Sequence, residues 1–502
     1  MADTKREIER KYESGGAGLP DLTTVTGVAK AVHKGVTHLD AVYHDTADER
    51  LAASKITLRR RTGGSDAGWH LKFPVAPGVR DEIHAPLSGT LPDTLAALVR
   101  SRVRDRKLLP VVRLRSDRDL THLLDAEGRL LAEVAVDSVH AERLTDGGGE
   151  VRWTEIEVEL ADGADPAFLD KVDKKLRKAG VRPSTSASKL TRALRETAPP
   201  PPVHPSAPAG DPVTAGDHVM AYVRAQRDEI LTLDPAVRQD TEDAVHRMRV
   251  ATRRLRSTFK SFGGILDRTV TGPIADELKW LAAELGLERD REVLAERLNT
   301  SLADVPADLV RGPIAHRLHS WADAEHSGAH GQILAILDSR RYLALLDSLD
   351  ALIADPPLTK AAANKPRKAL AKAVKKDFRK VAALVEQALE LDPGTDRDAA
   401  LHDARKKTKR TRYAAEAAGP ALGKPAKSMI RSMKSLQSLL GEHQDSVMAR
   451  QTLRELSAVA HAAGESAFTY GLLHEREEQR ARRVEIELPA VWDKIRGAAA
   501  SL

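Results

Sequence analysis

Two hydrophobic periods divide this chain. Through residues 1–196, short segments alternate apolar and polar side chains residue by residue and are separated by turn residues. That period of two is the signature of strands. Over residues 213–502 apolar residues recur every three to four positions in stretches rich in Ala, Leu, Arg, Lys and Glu, the period of helices. Between them lies TAPPPPVHPSAPAGDP, residues 197–212, with seven prolines and almost no large apolar side chain. Such a composition predicts an extended, semi-rigid linker. The pattern therefore predicts an α+β multidomain chain: a strand-rich domain over 1–196, a linker over 197–212 and an all-α domain over 213–502.

Read at period two, the strand-like segments carry charge on a shared face. Glu7, Glu9 and Lys11 fall on one side of the first segment, and Ile8, Arg10 and Tyr12 on the other. Arg59 and Arg61 share a face in ITLRRRT, His70 and Lys72 in WHLKF, and Arg80, Glu82 and His84 in VRDEIHA. Arg113 and Arg115 do so in PVVRLRS, Glu133, Ala135 and Asp137 in LAEVAVD, and Glu155, Glu157 and Glu159 in VRWTEIEVEL. One such strand alone reads as the solvated face of an antiparallel sheet. The set reads differently, because carboxylates cluster on the first and last strands while Arg and Lys cluster on the middle ones. A closed barrel with a charged interior accounts for this. Carboxylates on one wall would hold a hard divalent cation through oxygen ligands. Arg and Lys on the other would hold a phosphate chain, Arg bidentately and Lys as a point charge.

The helical half contains an internal repeat. HRMRVATRRLR begins at His246 and HDARKKTKRTR at His402, 402 − 246 = 156 residues later, with His-x-x-Arg-x-x-x-Arg/Lys-Arg-x-Arg in both. Each is followed by a second motif: ELGLERD ends at Asp290 and LLGEHQD at Asp445, 44 (290 − 246) and 43 (445 − 402) residues after the histidines. This predicts a duplicated helical unit, near 213–350 and 355–500. With His246 at 0° on a helical wheel, Arg249, Arg253, Arg256 and Lys260 fall within an arc of about 80°, opposite Met248, Ala251, Leu255, Phe259 and Phe262. Asp240 is the expected N-cap, and Gly263–Gly264 the expected stop. In the second copy His402, Arg405, Lys409 and Arg412 repeat the arc, and Glu416 replaces the final Lys. Residues 246–260 hold six Lys/Arg and no acid, and 365–380 hold eight basic residues and one acid. Solvated faces mix signs to gain i,i+4 pairs, so these stripes point to a polyanion. For His246 and His402 the roles open are phosphate donor, buried hydrogen-bonding group and metal ligand. Gly286 and Gly441 form no Walker or Rossmann loop.

Composition narrows the chemistry. The 502 residues contain no cysteine, which excludes disulfides, thiolate catalysis and Cys-ligated metals and fits a reducing, cytoplasmic compartment. No apolar run approaches the ~18–20 residues of a membrane span, and the opening MADTKREIERKYE does not read as a signal peptide. The net charge of +6, from 79 Lys+Arg and 73 Asp+Glu, is too mild to name a polyanion by itself. The 6 Phe, 6 Tyr and 5 Trp are too few for base-stacking platforms, which counts against nucleic acid.

With these segments in view, the first half resembles the CYTH domain, the triphosphate tunnel metalloenzyme family. Glu7-x-Glu9-x-Lys11, YHDTADERL (43–51), ITLRRR (56–61), WHLKFP (69–74), VRDEI (79–83), LPVVRLRSDR (109–118), LLAEVAVDSVHAE (130–142), TEIEVEL (154–160) and SASKL (186–190) carry the resemblance over roughly 5–195. It implies an eight-stranded antiparallel tunnel with flanking helices that binds triphosphates with Mg²⁺ or Mn²⁺. It implies metal positions at Glu7, Glu9, Asp137, Glu155, Glu157 and Glu159, leaving open which two of the last three ligate. It implies phosphate positions at Lys11, Arg59, Arg61, Lys72, Arg113, Arg115 and Lys189, with Lys11 and Lys72 closest to the chemistry. Arg80 and Glu82 match an inward pair of binding or structural role.

The second half resembles the CHAD domain, the histidine-containing α-helical domain, on both copies of the basic motif, LKWLAAELGLERDREVL, DSRRYLALL (338–346) and SLQSLLGEHQDSV. The resemblance spans about 213–500 and implies two pseudo-symmetric helical bundles that bind inorganic polyphosphate. It implies ligand positions at His246, Arg249, Arg253, Arg256, Lys260, His402, Arg405, Lys409 and Arg412, with Lys375, Lys376, Arg379 and Lys380 as additions. Asp290 and Asp445 would orient these arginines or cap helices. Together the halves imply a metal-dependent hydrolase of inorganic tripolyphosphate whose helical half binds long-chain polyphosphate and targets it to polyphosphate granules. The alternatives are thiamine triphosphate hydrolysis, ATP cyclisation, or a protein that grips polyphosphate without turnover.

Overall fold

The computed structural model describes residues 3–14, 18–145, 147–197, 212–323 and 329–499. The chain divides into two compact units, Met1–Ser206 and Ala207–Leu502. The interior of the expected linker, 198–211, lies outside the described residues.

The first unit is built on nine antiparallel strands: β1 (Asp3–Glu13), β2 (Lys30–Asp45), β3 (Thr57–Thr62), β4 (Gly68–Ala76), β5 (Val79–Pro86), β6 (Leu109–Leu124), β7 (Leu130–Arg143), β8 (Glu150–Leu160) and the two-residue β9 (Arg182–Pro183). Eight of them close a ring in the order β5-β4-β3-β2-β6-β7-β8-β1, with β1 pairing back to β5. The closing strand is shared lengthwise: Asp3–Ile8 pair with β5, and Glu9–Glu13 with β8. Closure leaves no long unpaired edge. Gly78 makes the handover possible. Its φ of 73° follows Pro77 in the β4–β5 turn, and a Cβ there would stand 2.7 Å from the Glu9 carbonyl oxygen. Glu9 N–H donates to the Gly78 carbonyl at 2.8 Å.

The ring inverts the usual polarity of a sheet. Two stretches of its outer face are apolar and covered by helices. Leu58, Trp69, Leu71 and Ile83 pack under the Asp93–Val103 helix. Tyr12, Val134, Ile156 and Val158 pack under Ala167–Lys178. Its inner face is charged, except at one end. There Tyr43, Val112, Leu114, Val139 and Trp153 close on Leu190, Ala193 and Leu194 of the Lys189–Glu196 helix. Ser188 caps that helix by accepting from Thr191 N–H at 3.1 Å. Asp45 anchors the YHDTADERL segment: its buried carboxylate accepts from the N–H groups of Thr46, Leu51 and Ala52 at 2.7, 2.9 and 2.9 Å.

The second unit is helical. The two basic stretches form Ala244–Ser261 and Thr395–Ala417, and the long helices Lys424–Ala462 and Phe468–Ala499 carry much of the remainder. The expected core stripe Met248, Ala251, Leu255, Phe259 and Phe262 is buried. The expected cap at Asp240 is displaced: the helix starts at Ala244, after Asp243 in a left-handed conformation whose side chain makes no cap bond. Asp240 is itself left-handed, which ends the preceding turn instead of opening the helix. The two repeat copies share one core, which runs from Ala215 to Ile495 and includes Leu255 and Ala404 together. A smaller cluster joins Leu298, Leu318, Leu453 and Leu473. Among the described residues no helix is long and apolar enough to cross a membrane.

Candidate functional site: a charged lumen and a basic helix pair

Register decides which side chains enter the ring, because partners across a ladder share a face. Glu7 faces Arg80, Lys11 faces Glu157, Asp137 faces Glu155 and Arg118, and Arg59 faces Tyr43 and His70. The chamber they enclose is lined by Glu7, Glu9, Lys11, Arg59, Arg61, Lys72, Arg80, Glu82, Arg118, Glu157, Glu159 and Lys189, among others. Its free volume is only about 80 Å³, because the charged side chains lie on one another. A cavity of about 870 Å³ opens beside it past the β4–β5 turn and shares Glu9, Lys11 and Arg80.

Lys189, the first residue of its helix, reaches Asp137, Glu155 and Glu157 at 2.9, 2.8 and 2.6 Å. Arg118 donates to both Asp137 oxygens at 2.8 and 2.7 Å and to Glu157 at 2.8 Å. Lys11 pairs with Glu157 and with Glu9, the latter at 3.2 Å. On the facing wall Lys72 reaches Glu7 at 2.5 Å and Glu82 at 3.4 Å, and His70 bonds Glu82 at 2.8 Å. Arg59 donates to the Tyr43 hydroxyl at 3.2 Å, and Arg61 pairs with Asp66. Arg80 donates to the Ala187 carbonyl at 2.7 Å, which ties β5 to the Lys189 helix start.

Titration follows from these pairings. Burial alone would push the Glu157 carboxyl up, but Lys11, Lys189 and Arg118 outweigh it and hold it well below the usual range. Burial would likewise lower the Lys189 amine, yet Asp137, Glu157 and Glu155 raise it. Glu7 goes the other way: burial lifts it to about 7, with Lys72 opposing and Glu82 adding. Burial, with Arg59 and Arg118 close by, lowers Arg61 to about 9.

For a divalent cation the donor set fits. Asp137, Glu155 and Glu157 bring carboxylate oxygens within 4.8 Å of one another, all three largely buried. These are the hard oxygen ligands that Mg²⁺ or Mn²⁺ takes. A second group with ligand spacing, Asp398, His443 and Glu485, lies in the helical unit. As Lys189 and Arg118 do in the first group, Arg450 and Arg397 pair with its carboxylates, at 3.5 and 2.6 Å.

In the helical unit the two basic helices run past one another. Arg254 of the first donates to Glu416 of the second at 3.1 Å, and Arg410 of the second donates to the Lys260 carbonyl of the first at 2.8 Å. Arg249 and Arg253 then act on Lys409 beside Arg405. Burial lowers the Lys409 amine first, and these three guanidinium groups bring it to about 7. Asp445 stands 3.7 Å from Arg405. His402 Nδ1 is hydrogen-bonded to Gln444.

Two family models match the chain: a CYTH domain over residues 5–194 and a CHAD domain over 221–454. Two uncharacterized proteins of Mycobacterium tuberculosis, from strains CDC 1551 / Oshkosh and ATCC 25618 / H37Rv, are each 37% identical over 505 residues, covering 97% of this chain and 96% of theirs. The chain is a CYTH–CHAD protein. Among solved structures, PptA from Streptomyces chartreusis is 24% identical with a TM-score of 0.48, covering 56% of this chain and 99% of its own. The CHAD domain from the plant Ricinus communis is 23% identical with a TM-score of 0.44, covering 61% and 98%. A Hippeastrum protein titled a putative adenylyl cyclase with a dominant triphosphatase activity is 18% identical with a TM-score of 0.23, covering 39% and 98%.

Within the CYTH domain the expected positions Glu7, Glu9, Lys11, Arg59, Arg61, Lys72, Arg80, Glu157, Glu159 and Lys189 meet in one chamber, and Asp137 and Glu155 join through Lys189. Arg113 and Arg115 depart from the expectation. Their parity on β6 puts them outside, where Arg113 pairs with Asp40 at 2.5 Å and Arg115 approaches Glu142 at 3.7 Å. The inward cation of β6 is Arg118. The run LRSDR does contain it, three residues past Arg115, but only the β6–β7 register selects its parity.

Within the CHAD domain Arg249, Arg253, Arg405 and Lys409 converge. Lys260 is exposed, and partial burial of its amine, then Arg256 and Arg410, lower it. His246 and Arg256 are half-buried on the same stripe. Arg412 turns to Glu416 at 3.3 Å and lies over the Tyr413 ring. Lys375, Lys376, Arg379 and Lys380 are exposed on Pro366–Glu390. The Asp290 side chain lies outside the described residues.

Proposed function

We propose that the CYTH domain hydrolyses inorganic tripolyphosphate with Mg²⁺ or Mn²⁺, and that the CHAD domain binds long-chain polyphosphate and brings the enzyme to polyphosphate granules. One observation carries the reading: one chamber brings Lys11, Arg59, Arg61, Lys72, Arg118 and Lys189 together with Glu7, Glu9, Glu82, Glu157 and Glu159. Tyr43 is the one benzenoid ring among the chamber's lining residues, and it is engaged by Arg59. That favours a bare phosphate chain over a thiazolium or nucleobase.

Arg59, Arg61 and Arg118 would grip non-bridging phosphate oxygens, and Lys11, Lys72 and Lys189 would neutralise charge as the bond between the terminal phosphorus and its bridging oxygen breaks. Asp137, Glu155 and Glu157, with Glu9 and Glu159 beside them, would hold the divalent ion. Bound there, it would neutralise phosphate oxygens and lower the pKa of a coordinated water. Water enters in line, the P–O bond to the leaving pyrophosphate breaks, and the proton released goes to a lumen carboxylate or to solvent. The acceleration is positional and electrostatic, with no covalent intermediate on the protein.

The test is phosphate release by the purified full-length chain from tripolyphosphate, ATP, thiamine triphosphate and long polyphosphate, with Mg²⁺, Mn²⁺ or a chelator. Tripolyphosphate turnover should require the metal and fall by roughly 10²-fold or more in Glu9→Gln and Glu157→Gln. Both variants should still bind long polyphosphate, whereas Arg249→Ala/Arg405→Ala should not. Unchanged turnover in Glu157→Gln, or with the chelator present, would overturn the metal assignment. Preference for an organic triphosphate would overturn the substrate.

A further inference from the structure

The CHAD repeat carries a glycine at matching places, Gly286 in ELGLERD and Gly441 in LLGEHQD. Each faces the first arginine of its own copy's basic motif. A Cβ at Gly286 would stand 2.6 Å from Arg249 Nη2, 2.7 Å from Cζ and 2.8 Å from Nε. A Cβ at Gly441 would stand 3.5 Å from Arg405 Nη2 and 3.7 Å from Nε, ordinary contact distances. Backbone conformation does not demand glycine at 286, where φ is −107° and ψ −16°, open to any L-residue. The demand is for space: the guanidinium group of Arg249 lies where a methyl group would be.

We propose that Gly286 is a positioning residue of the polyphosphate site, a notch that seats the Arg249 guanidinium beside Arg253, Arg405 and Lys409. The proposal rests on the CHAD domain's binding polyphosphate. Arg249 acts on Lys409 together with Arg253 and Arg405, so a planar donor seated at Gly286 is aimed at the same oxyanions. An alanine at 286 meets the far end of a flexible side chain rather than backbone. The fold therefore keeps its packing, and the guanidinium is what moves. In the second copy a methyl group would only come into ordinary contact, so the same exchange at 441 leaves Arg405 in place.

The experiment measures binding of size-fractionated inorganic polyphosphate to the full chain over a salt series, with thermal unfolding alongside. Gly286→Ala should weaken binding roughly tenfold or more, the loss of one charge-assisted contact. It should lower the slope of log K against log salt by about one, as Arg249→Ala does. The double variant should bind no more weakly than Arg249→Ala alone, because both changes remove one contact. Gly441→Ala should bind as the parent does, and both glycine variants should melt with it. Parent-like binding by Gly286→Ala, or additive losses in the double variant, would overturn the notch. So would a much lower melting temperature for Gly286→Ala, which would make the glycine a packing residue. If the parent chain binds no polyphosphate, the CHAD reading falls and the notch with it; if the parent binds and Gly286→Ala is unaffected, the notch alone falls.

Discussion

Replacing Arg118 separates the lumen's charge from the charge on its outer wall. Arg118 makes three hydrogen bonds, two to Asp137 and one to Glu157, and its side chain is 25% exposed against 0% and 12% for its partners. Arg118→Ala leaves Asp137 with Lys189, and Glu157 with Lys11 and Lys189. Stranding a buried charge entirely costs ~3–5 kcal/mol; with a lysine still at each carboxylate, about 2–3 kcal/mol is expected. Arg113 and Asp40 are 39% and 33% exposed, and Arg115 and Glu142 are 47% and 37% exposed. Pairs of that kind contribute ~0–1 kcal/mol.

Turnover should separate the residues further. A preorganised donor to developing phosphate charge is worth ~3–4 kcal/mol, or roughly 10²–10³-fold. Arg118→Ala should lose that much tripolyphosphate turnover, while Arg113→Ala and Arg115→Ala stay within about twofold. Phosphate release gives the rates, and residual turnover after equilibration in rising urea follows the unfolding of the CYTH domain alone. A tenfold loss in Arg113→Ala or Arg115→Ala, with Arg118→Ala unharmed, would refute the register argument and restore the outer arginines as ligands.

Lys409, lowered to about 7 first by burial and then by Arg405, Arg253 and Arg249, should make polyphosphate binding take up a proton above that pH. Affinity should then fall by up to about tenfold per unit as pH rises past 7, read by calorimetry in buffers of different ionisation heat, and the dependence should vanish in Lys409→Met. Folding stability moves the opposite way with pH: the folded pKa lies below the unfolded 10.5, so stability rises between 7 and 10.5, and Lys409→Met should melt higher than the parent at pH 6. Ser188→Ala removes the cap of the helix that begins with Lys189, so it should cost about 1 kcal/mol in urea unfolding of the CYTH domain and raise KM for tripolyphosphate as Lys189 loses its footing.

Most of the lumen was legible because strand parity is a local property. Glu7, Glu9 and Lys11, or Glu155, Glu157 and Glu159, share a face in any strand that contains them. The sixth strand was not legible for the same reason. Its 16 residues carry arginine on both parities, at 113 and 115 and again at 118, and only pairing with β7 decides which parity looks inward. Along that inward parity Val112 and Leu114 belong to the apolar plug, so the inward face of β6 begins as core and turns polar only at Ser116 and Arg118. In the helical half the wheel placed Met248, Leu255 and Phe259 correctly, since a stripe needs no partner to be recognised. What the stripe packs against is nonlocal, and hence the shared core of the two copies lay beyond periodicity. Gly286 stood in the repeat from the start, but the notch is a distance between residues 249 and 286 and has no signature along the chain.

The two sites also differ in what they ask of a phosphate chain. The lumen sets seven cations (Lys11, Arg59, Arg61, Lys72, Arg80, Arg118 and Lys189) against eight carboxylates (Glu7, Glu9, Asp66, Glu82, Asp137, Glu155, Glu157 and Glu159), a balance of 7 − 8 = −1 with all ionised. Net charge cannot draw a triphosphate into such a space. Every cation that turns to a phosphate oxygen leaves a carboxylate behind, and a buried carboxylate without a partner is costly. The exchange balances when a divalent cation arrives with the phosphate and takes over the released carboxylates. At the helix pair Arg405 and Lys409 act on Asp445, whose carboxyl burial lifts despite Arg405. Burial, and then Arg405, Arg253 and Arg249, bring Lys409 to about 7 there, and the charge of an incoming polyanion opposes that shift. Metal dependence in the first domain therefore follows from cations held by buried carboxylates, and pH dependence in the second from the burial and guanidinium groups that bring Lys409 to about 7.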